Sequence, residues 1–250
     1  MIEGFFIALL GLVIGSFLNV CIYRLPENLS VVYPRSRCGL CGTTLTALDL
    51  VPVLSYLVLK GRCRHCGGKF SPRYALVEIL TAALFCWCWL VFGLTAVLPG
   101  SLILVSFLIV ITFIDYDHQL ILDKVLVLLA ICGLVINLLT GEVGIVDMIL
   151  SSLGGGGFLL VVALISRGGM GGGDIKFAAA LGLWLGWKLL LLTMLGAFML
   201  GGVGGVILLA FKIKGRKDHI PFGPFIAGGA AISLLYGSSI LVWYWNLAAG

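Results

Sequence analysis

The sequence predicts an all-α, polytopic membrane protein of about eight transmembrane helices with one small polar insert. Three observations carry that expectation. Apolar residues make up 61% of the 250-residue chain and charged residues 11%, against about 45–50% and about 25% in soluble domains. Apolar runs long enough to cross a ~30 Å hydrocarbon core recur along the chain, and they are continuous rather than alternating, which favours helices over a β-barrel. Polar residues concentrate in a single segment, 24–72.

In chain order the expected spans are 2–23, 73–92, 97–114, 125–140, 145–166, 175–192, 194–212 and 224–246. The first reads as a retained span rather than a cleaved signal. It lacks a basic n-region, carries Glu3, and runs into Arg24 without a small-residue cleavage site. The expected organisation is a first helix over 1–23, an insert over 24–72, and a seven-helix bundle over 73–250. The glycine runs at 154–157 and 201–205 fall inside spans, where small residues let helices approach.

Charge orients these spans. Of 16 lysines and arginines, only Lys188 lies toward the face opposite the insert. By the positive-inside rule the insert face is cytoplasmic and both termini point outward. The net charge of +5 is accounted for by this topology, so no nucleic-acid partner is inferred.

The insert contains "CGLC" (38–41) and "CRHC" (63–66). Two C-x2-C knuckles can close one tetrahedral zinc site, so Cys38, Cys41, Cys63 and Cys66 are the candidate metal ligands. A reducing compartment disfavours structural disulfides, and a redox dithiol pair is the competing reading. The flanking Gly39, Gly42, Gly67 and Gly68 suit tight turns. An insert this short builds little core of its own, so Zn²⁺ would supply part of its folding free energy.

Two stretches on the insert's face carry acids: "FIDYDHQLILDK" (113–124) and "GGMGGGDIKF" (168–177). Acids at the bilayer edge are costly unless solvated, paired or used. Two carboxyl groups brought together cannot both ionise cheaply, and such a pair can act as general acid and general base on a peptide bond. Asp115 and Asp174 are the candidates. Gly171, Gly172 and Gly173 would give the loop backbone conformations closed to other residues and let an extended peptide approach. Asp117 and Asp123 read as solvated loop acids, His118 as a loop residue, and Lys176 as a field-setting or interfacial basic residue. A proton-coupled secondary transporter would also account for membrane acids and glycine-interrupted spans.

The series "GSFLNVCIYRLP" (15–26), the two C-x2-C pairs, "LVPVLSYLVLKGRC" (50–63), "RYALVEILTA" (73–82), "IDYDHQLILD" (114–123), "GGGDIK" (171–176) and "IPFGPFIAGG" (220–229) resembles the prepilin peptidases, the type IV leader peptidases of the GxGD aspartyl class. The resemblance spans nearly the whole chain. It implies an enzyme of the bacterial inner membrane serving type IV pili and type II secretion. Such an enzyme removes the basic leader of prepilins or pseudopilins after a glycine, at the cytoplasmic face.

The resemblance also implies N-methylation of the new first residue with S-adenosylmethionine. It places the catalytic pair on Asp115 and Asp174 and the active-site loop on Gly171, Gly172, Gly173 and Lys176. Glu78, an acid inside the second span, becomes a candidate methyl-transfer or substrate-amine site that needs a partner. One departure is "LILD" at 120–123 where the family often has proline before the acid.

Overall fold

The computed structural model describes residues 2–166, 169–211 and 220–249. The expected cytoplasmic residues Arg167, Lys212, Lys214, Arg216 and Lys217, with Gly168 of the glycine run, lie outside the described residues. Among the described residues eight α-helices form: α1 Ile2–Arg24, α2 Leu54–Val58, α3 Arg73–Phe92, α4 Val97–His118, α5 Asp123–Thr140, α6 Ile145–Ile165, α7 Gly172–Ala210 and α8 Gly223–Ala249. Seven of them, all but the short α2, are long and apolar enough to cross a membrane. No β-strand forms among the described residues, only isolated bridges within the insert.

The chain packs as two units, Met1–Leu98 and Pro99–Gly250. In the first, α1 lies along α3, and the small residues of α1 set the distance. A Cβ on Gly11 would lie 2.5 Å from the Ala82 Cα, and one on Gly15 would lie 2.7 Å from the Glu78 Cα. Asn19 is buried here and donates from Nδ2 to the Tyr74 carbonyl at 3.0 Å.

In the second unit, α7 differs from expectation. The apolar pattern places a break between 192 and 194, but the structure breaks at Gly186, where φ is 67° and ψ is 177°. Before that residue, rising positions in α7 meet falling positions in α6: Ala178 against Gly155, Gly182 against Ser151 and Ser152, and Gly186 against Asp147. After it the order inverts, with Trp187 against Gly154, Leu190 against Gly155 and Phe198 against Phe158. The chain therefore folds back on itself, and the two limbs correspond to the two expected spans. Helix α8 runs antiparallel to the second limb, with Gly237 on Leu189 and Phe222 on Gly201.

Reversing a helix inside an apolar layer frees backbone groups that must find partners. They do. Ser151 Oγ donates to the Gly182 carbonyl at 2.7 Å. Asn137 Nδ2 donates to the Leu183 and Trp184 carbonyls at 2.8 and 3.0 Å. The Trp187 N–H donates to Asp147 Oδ1 at 2.9 Å. Glycine is needed at 186 because a side chain there would be strained at positive φ and would meet the Asp147 carboxylate.

Helix α4 also runs further than expected, to His118 rather than 114. Asp115, Asp117 and His118 thus occupy its last turn instead of a loop. Gln119, at φ 51°, ends the helix, and its N–H donates to the Asp115 carbonyl at 2.9 Å.

Candidate active site and metal site

Asp115 and Asp174 are both buried, at 5% and 8% exposure. Asp115 ends α4. Its Oδ2 accepts the Gly223 N–H at 2.9 Å, where α8 begins. Asp174 sits in the first turn of α7, and its Oδ2 accepts the Gly171 N–H at 3.2 Å in a capping-box geometry. Each carboxyl group is thus held through one oxygen by a backbone N–H at a helix start. The groups are close enough for the charge of Asp115 to act on Asp174. The other oxygen of Asp174, Oδ1, is buried and accepts no hydrogen bond from any described group.

Ile121 lies between the two acids' supports. A Cβ on Gly173 would fall 2.9 Å from the Ile121 Cβ, and one on Gly223 would fall 3.2 Å from its Cδ1. The same Cβ on Gly223 would lie 2.6 Å from Asp115 Oδ2. Ile121 and Gly223 are the residues that sequence reasoning missed. The available signal was the glycine of "FGPF", placed just before a proline suited to a helix start.

The glycine run is used differently from expectation. Gly171 has ordinary extended geometry (φ −73°, ψ 145°), while Gly172 and Gly173 are already helical, and none of the three has positive φ. No left-handed backbone is required. Smallness matters at Gly173, which Ile121 crowds, whereas a Cβ on Gly172 would meet nothing within 4 Å.

Lys176 does not turn to the aspartates. Its Nζ donates to both oxygens of Asp123, at 2.7 and 2.8 Å, on the exposed surface. Asp123, expected to be a solvated loop acid, is therefore ion-paired at the start of α5.

Glu78 is buried in α3, and the structure supplies its partners. Oε2 accepts the Val53 N–H at 2.8 Å, and the Ser16 hydroxyl is a second donor. Both are neutral, and no cation pairs with Glu78 among the described residues. Val53 has φ 59° and ψ −48°, and the N–H of Leu54 reaches back to the Pro52 carbonyl at 2.5 Å. That is a γ-turn of the strained, positive-φ kind at a β-branched residue.

In the insert the four cysteine sulfurs all lie within 4.8 Å of one another, and Cys38 Sγ and Cys66 Sγ are 3.8 Å apart. Sulfurs bound at about 2.3 Å to one tetrahedral ion are about 3.8 Å apart, so the cluster could hold Zn²⁺. The two knuckles repeat one design. The Cys38 and Cys63 N–H groups donate to the Thr43 and Gly68 carbonyls, and the Gly42 and Gly67 N–H groups donate to the Cys38 and Cys63 carbonyls. Gly42 and Gly67 take φ values of 72° and 69°, the left-handed turn that each knuckle needs.

Hydrogen bonding from the Thr43 hydroxyl and backbone pulls the Cys41 thiol down to about 6, which favours the thiolate that binds metal. Asp49 ties the knuckles together. Its carboxylate accepts from the Thr46 N–H and hydroxyl at 3.0 and 2.6 Å, and Arg64 Nε donates to its other oxygen at 3.0 Å. Those contacts, the Thr46 hydroxyl foremost, hold Asp49 below the usual carboxylate range.

Two family models match the sequence: the Bacterial Peptidase A24 N-terminal domain over residues 9–92, and the Type IV leader peptidase family over residues 102–206. The chain is similar to the prepilin leader peptidase/N-methyltransferase of Aeromonas salmonicida (strain A449), 37% identical over 273 residues, covering 94% of this chain and 91% of that protein. A protein of the same name from Bacillus subtilis (strain 168) is 35% identical over 244 residues, covering 96% of this chain and 97% of that one. A third, from Legionella pneumophila, is 35% identical over 266 residues, covering 95% and 93%. No solved structure matches the chain.

Proposed function

We propose that this chain, which belongs to the type IV leader peptidase family, hydrolyses the bond between the basic leader and the mature part of a prepilin or pseudopilin, using Asp115 and Asp174 as its acid–base pair. One observation carries the reading. Two buried carboxyl groups, from α4 and α7, lie close enough for the charge of Asp115 to act on Asp174, inside the segment that the peptidase model matches.

Like charges at short range leave one proton shared by the pair. The ionised carboxylate takes a proton from water as the water oxygen attacks the scissile carbonyl. The protonated partner hydrogen-bonds the carbonyl oxygen, and a proton then passes to the leaving nitrogen as the C–N bond breaks. The unpartnered Asp174 Oδ1 is an acceptor available for this exchange. A Cβ on Gly172 would meet nothing within 4 Å, so the start of α7 is open there, and glycine before the cut would keep an extended substrate backbone close to the carboxyl groups.

The protein is a multi-pass bacterial membrane protein, and the site is proposed to face the cytoplasm, where positive-inside charge places the insert. Zn²⁺ held by Cys38, Cys41, Cys63 and Cys66 has a structural role in this reading, closing the two knuckles into one folded insert.

Methylation of the new amino terminus with S-adenosylmethionine is the second proposed activity, supported by the relatives' names. No strand-to-helix glycine cradle of the nucleotide-binding kind forms among the described residues. What this chain offers is Glu78. It is a buried carboxylate with only neutral donors, and a substrate ammonium would be its first counter-charge.

The test is direct: purified protein is mixed with a synthetic prepilin leader peptide, and the fragments are identified by mass. A single cut after the glycine is expected, and an uncut peptide would refute the proposal.

A further inference from the structure

We infer that the Lys176–Asp123 ion pair is a positioning clamp that holds Asp174 in register with Asp115; this rests on the peptidase reading above. The segment 119–123, the connector and the first residue of α5, leaves the helix that carries Asp115 and reaches the start of α7 in two places. Ile121 abuts Gly173, immediately before Asp174. Asp123 binds Lys176, two residues after it, through both carboxylate oxygens. Asp174 is therefore bracketed by two contacts from the segment that follows Asp115. The apolar contact sets how closely the helices approach. The ion pair adds a second anchor three residues beyond Gly173, and two anchors on one turn limit rotation of the helix start about its axis.

Both partners are well exposed, with side chains at 58% and 66%, so the pair adds little to global stability. Its effect belongs to geometry at the dyad, where small misplacements are costly in rate. Lys176 and Asp123 touch neither carboxyl group of the dyad in this arrangement, so they position rather than catalyse.

The experiment uses detergent-purified full-length protein and the leader peptide, with Asp123→Asn, Lys176→Gln and the charge-swapped double variant Asp123→Lys/Lys176→Asp. Each single variant should lose about tenfold in kcat with KM within roughly twofold of wild type, and the swap should recover most of that loss. Singles with unchanged kcat, or a swap no better than the singles, would overturn the clamp.

Hydrogen exchange of the 169–177 segment reads the same geometry without turnover. Exchange should quicken in each single variant and slow again in the swap, and exchange equal to wild type throughout would also overturn the inference. Failure of the peptidase reading looks different: wild type would not cut, or would still cut without its aspartates, whatever the clamp variants do.

Discussion

The N–H of Gly223 donates to Asp115 Oδ2 across 2.9 Å, joining the first residue of α8 to the last turn of α4. A carboxyl group at the end of one helix is thereby oriented by the start of another. The same closeness leaves no room for a side chain, since a Cβ at 223 would lie 2.6 Å from that oxygen.

Gly223→Ala should therefore displace the Asp115 carboxyl group and lower kcat by about 10²-fold, the scale expected for roughly an ångström of misplacement. Thermal unfolding should change far less, because the collision is with a side chain. Steady-state cleavage of the leader peptide by a folded variant checks this, and wild-type kcat would show that Asp115 is not held through Gly223.

Removing a metal ligand should act on the insert. Cys38→Ser should lower bound zinc from one ion per chain and expose segment 36–70 to protease before the membrane helices are affected. Metal analysis combined with limited proteolysis reads both. Zinc-free wild-type protein with a protease-resistant insert would contradict the assignment.

Leu122, which stands before the acid in "LILD", has a φ of −76°, within proline's range. Ile121 before it is outside any helix, as a residue preceding proline prefers. Leu122→Pro should keep wild-type cleavage and raise stability by about 0.4–1 kcal/mol through the unfolded chain. A loss of cleavage would mean that the connector's N–H or side chain matters at the dyad.

Glu78→Gln keeps a hydrogen-bond acceptor for the Val53 N–H while removing the charge. Cleavage should persist, and methylation of the cleaved product should fall at least tenfold. Equal loss of both activities would assign Glu78 a purely structural role in holding the γ-turn.

Much of this architecture was legible in the sequence because membrane thickness and basic loops constrain apolar helices strongly. The ends of α1, α3 and α5 fall within about two residues of where apolar length places them. The approach of the two acids was legible for the same reason, since topology put both loops on one face. The break in α7 was not. The run around "WLGWKLLLL" is apolar on both sides, and the reversal is fixed by Asp147, Ser151 and Asn137 from other helices.

Side-chain partners across helices were equally hidden. Nothing local to Lys176 points to Asp123, and nothing local to Glu78 points to the Val53 N–H. The glycines before Asp174 suggested unusual backbone, yet what the fold needs at Gly173 is the absence of a side chain against Ile121.

The most direct test of the central claim is cleavage of a leader peptide by Asp115→Asn and Asp174→Asn proteins that fold as wild type does. Asparagine keeps size and an acceptor for the Gly223 or Gly171 N–H but cannot exchange a carboxyl proton. Each single variant should lose cleavage completely, and the double variant should be no worse than either, because the pair acts as a unit. Near-normal turnover by either folded single variant would contradict the account.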